Sequence, residues 1–318
     1  MSRDDLPRGK GFYIYLFEKY AGGPRELVAR AAVLGARWLA PRVVGWDSLD
    51  QNTARFMDEF LAACDDHDIR VGGWGYHVGL NWLNHTIARA EAEAASEAIN
   101  TYGLSFYVLN AEREYKGNFR PYAHWRVRPL DAMQLAMTTY WQRFRELQPV
   151  ICAGMTSYRY PRVHHEFVWD EALDPRYCDF SQPQVYALLD AREQGPALQL
   201  ADCVQQYDEL AGEMLPMIPL MAFYQHGNWR QTTAQTRAFG EKVRELNLPG
   251  YGAYTFEHAT ESQRSAFAES YSPPADDDTQ PTPVKWDNLS HSERFEIVER
   301  AMRLHGFVDA DGNVVGGA

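Results

Sequence analysis

The chain reads "IARAEAEAASEAINTYGLSFYVLNAE" from Ile87 to Glu112, a segment with helical spacing followed directly by a strand-like one. Gly103, between the two, is a typical residue for the end of a helix. The run from Leu104 to Asn110 is apolar and aromatic, as a buried strand of a parallel sheet is. This stretch therefore predicts one helix-strand unit of an α/β fold.

The same alternation continues along residues 9–271. Eight short apolar, aromatic or β-branched runs predict strands, and the segments between them have helical spacing. A mean repeat of roughly 35 residues favours a (β/α)8 TIM barrel over an open doubly wound sheet. No Gly-rich phosphate fingerprint follows the first run, which argues against dinucleotide binding. The predicted strands are Gly11–Phe17, Ala36–Val44, Ile69–Tyr76, Leu104–Asn110, Val150–Tyr158, Asp179–Leu188, Pro216–Tyr224 and Gly250–Phe256.

Composition and charge limit the class of protein. The 318 residues, 45% of them hydrophobic, can bury a sizeable core. The net charge of −12 argues against a nucleic-acid partner. The four cysteines lie far apart without a CxxC pair, which indicates buried free thiols rather than a zinc site or a disulfide framework. We expect no metal and no cofactor.

The two ends of the chain predict its location and its domain organisation. The N-terminal segment lacks the apolar core of a signal peptide, and no stretch approaches the roughly 18 apolar residues of a membrane span, so synthesis in the cytoplasm without a membrane span is expected. Residues 272–284 are rich in proline and acid and predict a linker. Residues 285–318 predict a small element of one helix and a hairpin, separate from the barrel at 9–271.

Acidic and amide residues crowd the end of the fourth predicted strand. Active sites of TIM barrels lie at the carboxyl ends of the strands. Because strand side chains alternate, Asn110 and Glu112 share one face and Ala111 points to the helices. If the strand continued, Glu114 would lie above Glu112, and two close carboxylates would raise the pKa of one of them. Such a group can act as a general acid, whereas a solvated surface cluster is the alternative interpretation.

Aromatic residues lie in or near the ends of the other predicted strands. Their flat faces and polar tips suit sugar rings, although core packing explains any single one more readily. Gly72, Gly73 and Gly75 around Trp74 indicate a place where the backbone can approach a ligand. The aromatic set comprises Tyr13, Tyr15, Trp74, Tyr76, Tyr158, Tyr186, Tyr224, Tyr254 and Phe256.

Three motifs resemble those of glycoside hydrolases. The strand end "YVLNAERE", which contains Glu112, resembles the D-x-E strand of family 25, the lysozyme-type muramidases, and the end of the D-x-x-D-x-D-x-E strand of family 18, the chitinase-type enzymes. "VGGWGYHVG" resembles the third-strand motif of the muramidases, and "SQPQVYAL", with Gln184 and Tyr186, resembles the sixth-strand motif of the chitinase type. Over residues 9–270 the resemblance implies a glycosidase acting on an N-acetylhexosamine glycan such as peptidoglycan.

The chain departs from both families at Asn110, where each has an aspartate. An amide cannot be a carboxylate nucleophile. The pair Asn110 and Glu112 can still act if the substrate's own 2-acetamido oxygen attacks, with Glu112 as general acid, Asn110 holding the acetamide and Tyr186 donating to its oxygen. The alternative is a second acid, for which the candidates are Glu18, Asp47, Asp190, Glu257 and Glu114. The residues predicted to bind substrate are Tyr15, Asp47, Trp74, Tyr76, Glu114, Gln184, Tyr224, Tyr254 and Glu257.

Other chemistry has little support in the sequence. His164, His165 and Glu166 are contiguous and predict a loop rather than an H-E-x-x-H metal site, and no serine lies in a G-x-S-x-G elbow. A wall-directed hydrolase without a signal peptide would fit a phage or prophage product, released to the cell wall by lysis or carried on a virion, with a wall or virion partner for the C-terminal element. The competing classes are a non-catalytic carbohydrate-binding or structural barrel, in which Asn110 marks a lost acid pair, and an isomerase-like barrel.

Overall fold

The computed structural model describes residues 6–79, 86–120, 126–211 and 215–271. The predicted linker at 272–284 and the C-terminal element at 285–318 lie outside these ranges. The strands within the described residues are β1 (Gly9–Ile14), β2 (Ala36–Gly45), β3 (Ser48–Leu49), β4 (Arg70–Tyr76), β5 (Phe106–Asn110), β6 (Cys152–Tyr158), β7 (Phe180–Gln184), β8 (Leu220–Ala222) and β9 (Gly250–Tyr254). The α-helices there are α1 (Gly23–Val33), α2 (Gln51–Ala54), α3 (Met57–Asp66), α4 (Thr86–Tyr102), α5 (Leu130–Leu147), α6 (Trp169–Ala172), α7 (Gly195–Ala211), α8 (Thr233–Glu245) and α9 (Glu261–Glu269).

Eight of the described strands close into a parallel barrel surrounded by helices. β1 pairs with β2 on one side and with β9 on the other, and the circle continues from β9 through β8, β7, β6, β5 and β4 to β2. The short strand β3 pairs antiparallel with the end of β2 and forms a hairpin there. The predicted (β/α)8 barrel is confirmed, and each of the eight predicted strands overlaps one barrel strand, so the fourth barrel strand is β5.

Side chains alternate between the barrel interior and the helical layer along β5. Phe106 and Val108 belong to the interior cluster, whereas Tyr107 and Leu109 pack among the helices. Ala111, just after the strand, continues the outer set. The prediction that Ala111 faces the helices is therefore confirmed.

Large aromatic rings fill the amino-terminal half of the barrel. Trp38 is fully buried, and the rings of Tyr13 and Phe106 meet it edge-on, with centroids 6.0 and 5.9 Å away. Gly11 and Gly252 leave the space that this indole needs, since a Cβ at Gly11 would lie 2.0 Å from a Trp38 ring atom. The barrel is thus closed beneath its carboxyl-terminal mouth.

The cysteines and the histidine cluster form no metal-binding group in the described residues. Cys64, Cys152, Cys178 and Cys203 are buried thiols that form no disulfide within the described residues, as predicted. Residues 164–166 lie in a turn, which confirms the loop interpretation. Within the described ranges, no helix is long and apolar enough to cross a membrane.

Candidate functional site

A cleft lies at the carboxyl ends of the strands, with Glu112 at its middle. It consists of a first cavity of about 440 Å³ and a second cavity of about 560 Å³. Four residues line both: Glu112, Asn110, Trp74 and Tyr254. A chain-like ligand that filled both cavities would therefore pass across the Glu112 carboxyl group.

Two amide side chains hold the Glu112 carboxyl group. Gln184, the last residue of β7, donates from Nε2 to Glu112 Oε1 over 3.0 Å, and the same Nε2 lies 3.3 Å from Asn110 Oδ1. The Asn110 side chain also lies close enough to Glu112 to lower the pKa of its carboxyl group. These contacts bring together Asn110, Glu112 and Gln184, which were all predicted site residues.

Burial raises the pKa of Glu112 above its ordinary value of 4.5. The hydrogen bond from Gln184 opposes this shift, and the negative charge of Glu114 adds to it to a smaller extent. A raised pKa keeps the carboxyl group protonated at higher pH than an exposed glutamate would be. Glu112 is thus suited to donate a proton to a bound molecule.

Glu114 does not lie above Glu112, and this part of the prediction is wrong. β5 ends at Asn110, and Arg113–Tyr115 form a 3-10 turn. The Glu114 side chain is fully buried there, 3.3 Å from the Arg113 guanidinium, and is absent from the described linings of both cavities. Its influence on Glu112 is therefore electrostatic.

Two further acids that were predicted at strand ends support loops instead of lining the cleft. Glu257 Oε1 accepts backbone hydrogen bonds from Tyr15 and Leu16, at 2.9 and 3.0 Å, and burial raises the pKa of Glu257 to about 7. Asp190 lies 2.8 Å from the Arg192 guanidinium, and the Arg192 hydrogen bond holds the Asp190 pKa at about 2. Neither carboxylate is placed to meet a ligand beside Glu112.

The remaining candidate acids are also outside the two linings. Asp47 is exposed at the tip of the β2–β3 hairpin, and Glu18 lies 3.7 Å from Arg55. Among the described residues that line the two cavities, Glu112 is the only carboxylate. The structure thus brings no second predicted acid to the cleft.

Tyrosine and tryptophan rings form the walls of the cleft. Tyr186 and Tyr254 stack with centroids 6.2 Å apart, and Tyr224 meets them edge-on at 5.6 and 6.0 Å. Phe256, in contrast, packs against Phe12 in the core at 5.0 Å. The predicted aromatic residues that line the cleft are Tyr13, Tyr15, Trp74, Tyr76, Tyr158, Tyr186, Tyr224 and Tyr254.

The second cavity has an aromatic wall and a neutralised cation. Tyr15 and Trp74 stack there, with centroids 6.2 Å apart and ring planes 27° apart. The Arg42 guanidinium lies 4.5 Å from the Tyr15 centroid and forms an ion pair with Asp50. Trp46, at the hairpin tip, is 55% exposed and lines the same cavity.

The loop after β6 supplies residues of the first cavity that the sequence analysis missed. Arg159 donates from Nη1 to the Tyr186 carbonyl oxygen over 2.6 Å, and its guanidinium lies 4.8 Å from the Tyr160 centroid. His164 Nδ1 lies 2.9 Å from Lys116 Nζ, and burial lowers the His164 pKa to about 4. Arg159 follows the end of a barrel strand directly, which is the signal that could have identified it.

A buried carboxyl group behind the site joins two of its loops. Glu91 of α4 accepts backbone hydrogen bonds from Val78 at 2.5 Å and Gly79 at 3.0 Å, and the Tyr115 hydroxyl lies 3.4 Å from Glu91 Oε2. Tyr115 ends the 3-10 turn that follows Glu112. Glu91 therefore connects the loop after β4 to the turn that carries the candidate acid.

We expect Glu91 to make the protein less stable as the pH rises. Burial raises its pKa from 4.5 to about 8, so between these values the folded chain binds a proton that the unfolded chain releases. The contribution of Glu91 to the free energy of unfolding should therefore be largest at about pH 4.5 and below, and it should decrease as the pH rises to about 8. The Glu91→Gln substitution should flatten this dependence, measured as Tm at several pH values.

Glu93, on the same helix, provides the matched control for the Glu91 prediction. Its side chain is 48% exposed, so the Glu93→Gln substitution should leave the slope of Tm against pH unchanged. A Glu91→Gln variant with the slope of the original chain would contradict the assignment.

Comparison with known proteins identifies the fold. No protein-family model matches the chain, and no curated protein matches its sequence. The spore cortex-lytic enzyme SleL of Bacillus cereus is similar in structure, with a TM-score of 0.56 and 10% identity over 84% of this chain and 75% of that chain. A chitinase from Rhizomucor miehei gives a TM-score of 0.59 and 8% identity, covering 82% and 99%. A β-mannanase from the blue mussel Mytilus edulis gives 0.53 and 10%, covering 82% and 90%.

Proposed function

We propose that this chain is a glycoside hydrolase that acts on an N-acetylhexosamine-containing glycan such as peptidoglycan, with Glu112 as general acid. The observation that carries the proposal is a buried carboxyl group of raised pKa between two aromatic-walled cavities. Aromatic walls and a few polar groups are typical of sugar-binding clefts. The names of the structural neighbours, a cortex-lytic enzyme and a chitinase among them, also support a glycosidase.

The reaction follows from the position of the Glu112 proton. Protonated Glu112 gives its proton to the glycosidic oxygen as the bond from that oxygen to the anomeric carbon breaks. With Glu112 the only carboxylate among the described lining residues, the 2-acetamido oxygen of the substrate is the nucleophile that bonds to the anomeric carbon. The resulting Glu112 carboxylate then takes a proton from water, whose oxygen opens the cyclic intermediate with retention of configuration.

Asn110 and Tyr186 have the properties needed to orient the acetamide. Asn110 lines both cavities and is hydrogen-bonded to Gln184, which limits its rotation. Burial raises the pKa of the Tyr186 hydroxyl far above its ordinary value, so the hydroxyl stays protonated and can donate to the acetamide oxygen. Close positioning is worth several orders of magnitude in an intramolecular attack.

We expect cleavage to require an N-acetyl group on the sugar that precedes the broken bond. Without the acetamide the nucleophile is missing, so a glucosamine tetramer should react at least about 100 times more slowly than an N-acetylglucosamine tetramer, although both should bind. Release of reducing ends measures the rates. Equal rates would exclude substrate assistance.

One observation favours a second candidate function, a non-catalytic carbohydrate-binding barrel. Asn110 carries an amide where the resembled families carry an acid, and it adjoins Glu112, the one carboxylate among the described lining residues. Glycan binding without cleavage by the unaltered chain would support this candidate over the hydrolase. The family 25 or 18 assignment, the phage origin and a wall or virion partner for residues 285–318 stay predictions.

A further inference from the structure

The two cavities beside Glu112 differ in their charge. In the second cavity, Asp50 neutralises Arg42: its carboxylate accepts a hydrogen bond from Arg42 Nε and forms an ion pair with Nη2. In the first cavity, Arg159 forms no ion pair with any carboxylate of the described residues; its guanidinium contacts the Tyr186 carbonyl oxygen and the Tyr160 ring. Among the described residues, the Arg159 charge in the first cavity is therefore not paired with an acid.

The Arg159 guanidinium is held in place with donor capacity to spare. Its Nη1 atom is fixed on the Tyr186 carbonyl oxygen, and its Nε is buried without a hydrogen-bond partner among the described residues. The planar group lies over the Tyr160 ring, which limits its movement. Guanidinium groups held in this way bind carboxylates well, because two N–H donors can meet two oxygens.

The other titratable groups around this cavity do not cancel the Arg159 charge. The low pKa of His164 leaves its ring neutral at pH 7. Burial raises the pKa of Glu112, which favours its uncharged form, the form that the proposed general-acid role requires when substrate binds. Asp202 of α7 acts on Tyr160 but is exposed and forms no ion pair with Arg159. Glu114 and Glu166 act electrostatically on Tyr158 but are absent from the described lining, so an anionic group that entered the first cavity would meet the Arg159 guanidinium directly.

We propose that the first cavity binds a sugar that carries a carboxylate and that Arg159 recognises this carboxylate. The inference rests on the proposed function and narrows its substrate class from any hexosamine glycan to an acidic one. Two kinds of sugar offer this chemistry: a hexosamine with a lactyl ether, as in N-acetylmuramic acid, and a hexuronic acid. The second cavity, with its stacked rings and neutralised Arg42, binds the uncharged sugar next to the acidic one in the glycan.

Binding of four tetrasaccharides to the full chain with the Glu112→Gln substitution tests the proposal without hydrolysis. The probes are the N-acetylglucosamine tetramer, an alternating N-acetylglucosamine and N-acetylmuramic acid tetramer, the methyl ester of that tetramer, and a hyaluronan tetramer. At low salt, titration calorimetry should show at least one acidic tetramer binding about tenfold or more tightly than the neutral one, the effect of one charge-assisted contact. If the muramyl tetramer binds more tightly than the neutral tetramer, its methyl ester should bind no more tightly than the neutral one. Comparison of the muramyl and hyaluronan affinities identifies which acidic sugar the cavity prefers.

Substitutions at Arg159 connect the preference to this side chain. Arg159→Gln should remove the preference for the acidic tetramer and change the affinity for the neutral tetramer by no more than about threefold. Arg159→Lys should keep part of the preference. The control is Arg162→Gln, which removes a positive charge from an exposed side chain paired with Glu209 and should leave the preference intact. Should Arg159→Gln fold poorly, as judged by Tm, the Arg159→Lys variant and the methyl ester decide the question.

The outcomes separate this inference from the proposed function. Equal binding of neutral and acidic tetramers, or a preference that survives in Arg159→Gln, would overturn the inference, while cleavage by the unaltered chain would still uphold the hydrolase. An acidic preference that depends on Arg159, without cleavage of any tetramer, would support the inference and contradict the hydrolase. Failure of all four tetramers to bind would overturn both.

Discussion

Replacing Glu112 with glutamine should lower kcat on a susceptible glycan by at least about 100-fold, the usual contribution of one positioned proton donor. Glutamine has nearly the same size and retains an oxygen to accept the hydrogen bond that Gln184 donates over 3.0 Å. The substitution therefore removes the proton and little else, and KM should change far less than kcat. Initial rates of reducing-end release and a separate binding titration measure the two effects.

The matched control is Glu114→Gln, since Glu114 is buried next to the site and is absent from the described cavity linings. Turnover at acid pH should stay within about tenfold of that of the unaltered chain, because the proton donor is still present. The negative charge of Glu114 raises the pKa of Glu112, so its removal should shift the alkaline limb of the pH-rate profile to lower pH. Full turnover in Glu112→Gln would show that another group donates the proton.

The barrel could be predicted because its signals are local. Strand runs such as residues 106–109 of β5 are apolar throughout, and the segments between the strands carry helical spacing, so the order of elements is readable without any tertiary contact. Barrel geometry then places every strand end at one mouth. The location of Glu112 in the cleft follows from those two steps.

The end of β5 could not be predicted, because contacts distant in sequence determine it. The Arg128 side chain donates to the carbonyl oxygens of Val78 and Glu114, which holds the turn after Glu112 against the loop after β4. The residues around Glu114 are equally compatible with one more strand pair. The sequence prediction therefore placed the Glu114 carboxylate above the cleft, whereas the turn directs it into the protein.

Glu257 and Arg159 show the same limit for side-chain roles. Acids that follow strand ends can face a ligand or accept loop amides, and Glu257 does the second by binding Tyr15 and Leu16. The importance of Arg159 depends on which acids lie near it, which no spacing along the chain reveals. Residue type and strand position identify candidates, and only the packing of loops separates them.

A pair of tryptophan substitutions should separate the stability of the barrel from the function of the cleft. Trp38→Ala should lower the free energy of unfolding by about 3–5 kcal/mol, the range for loss of a large core side chain. Trp38 is fully buried, and the rings of Tyr13 and Phe106 would lose their contact with it. For a domain of this size that corresponds to a fall in Tm on the order of 10 °C.

Trp46→Ala removes the same type of side chain at the cleft. It should weaken glycan binding and leave the stability nearly unchanged. Its side chain is 55% exposed at the tip of the β2–β3 hairpin, so its loss should move Tm by no more than about 2 °C. Trp46 lines the second cavity, where loss of an aromatic face should weaken binding of the N-acetylglucosamine tetramer about tenfold. Thermal unfolding and titration of both variants provide the measurements. A Trp46→Ala variant with unchanged glycan affinity would place the sugar elsewhere in the cleft, and a stable Trp38→Ala variant would contradict the packing of the barrel interior.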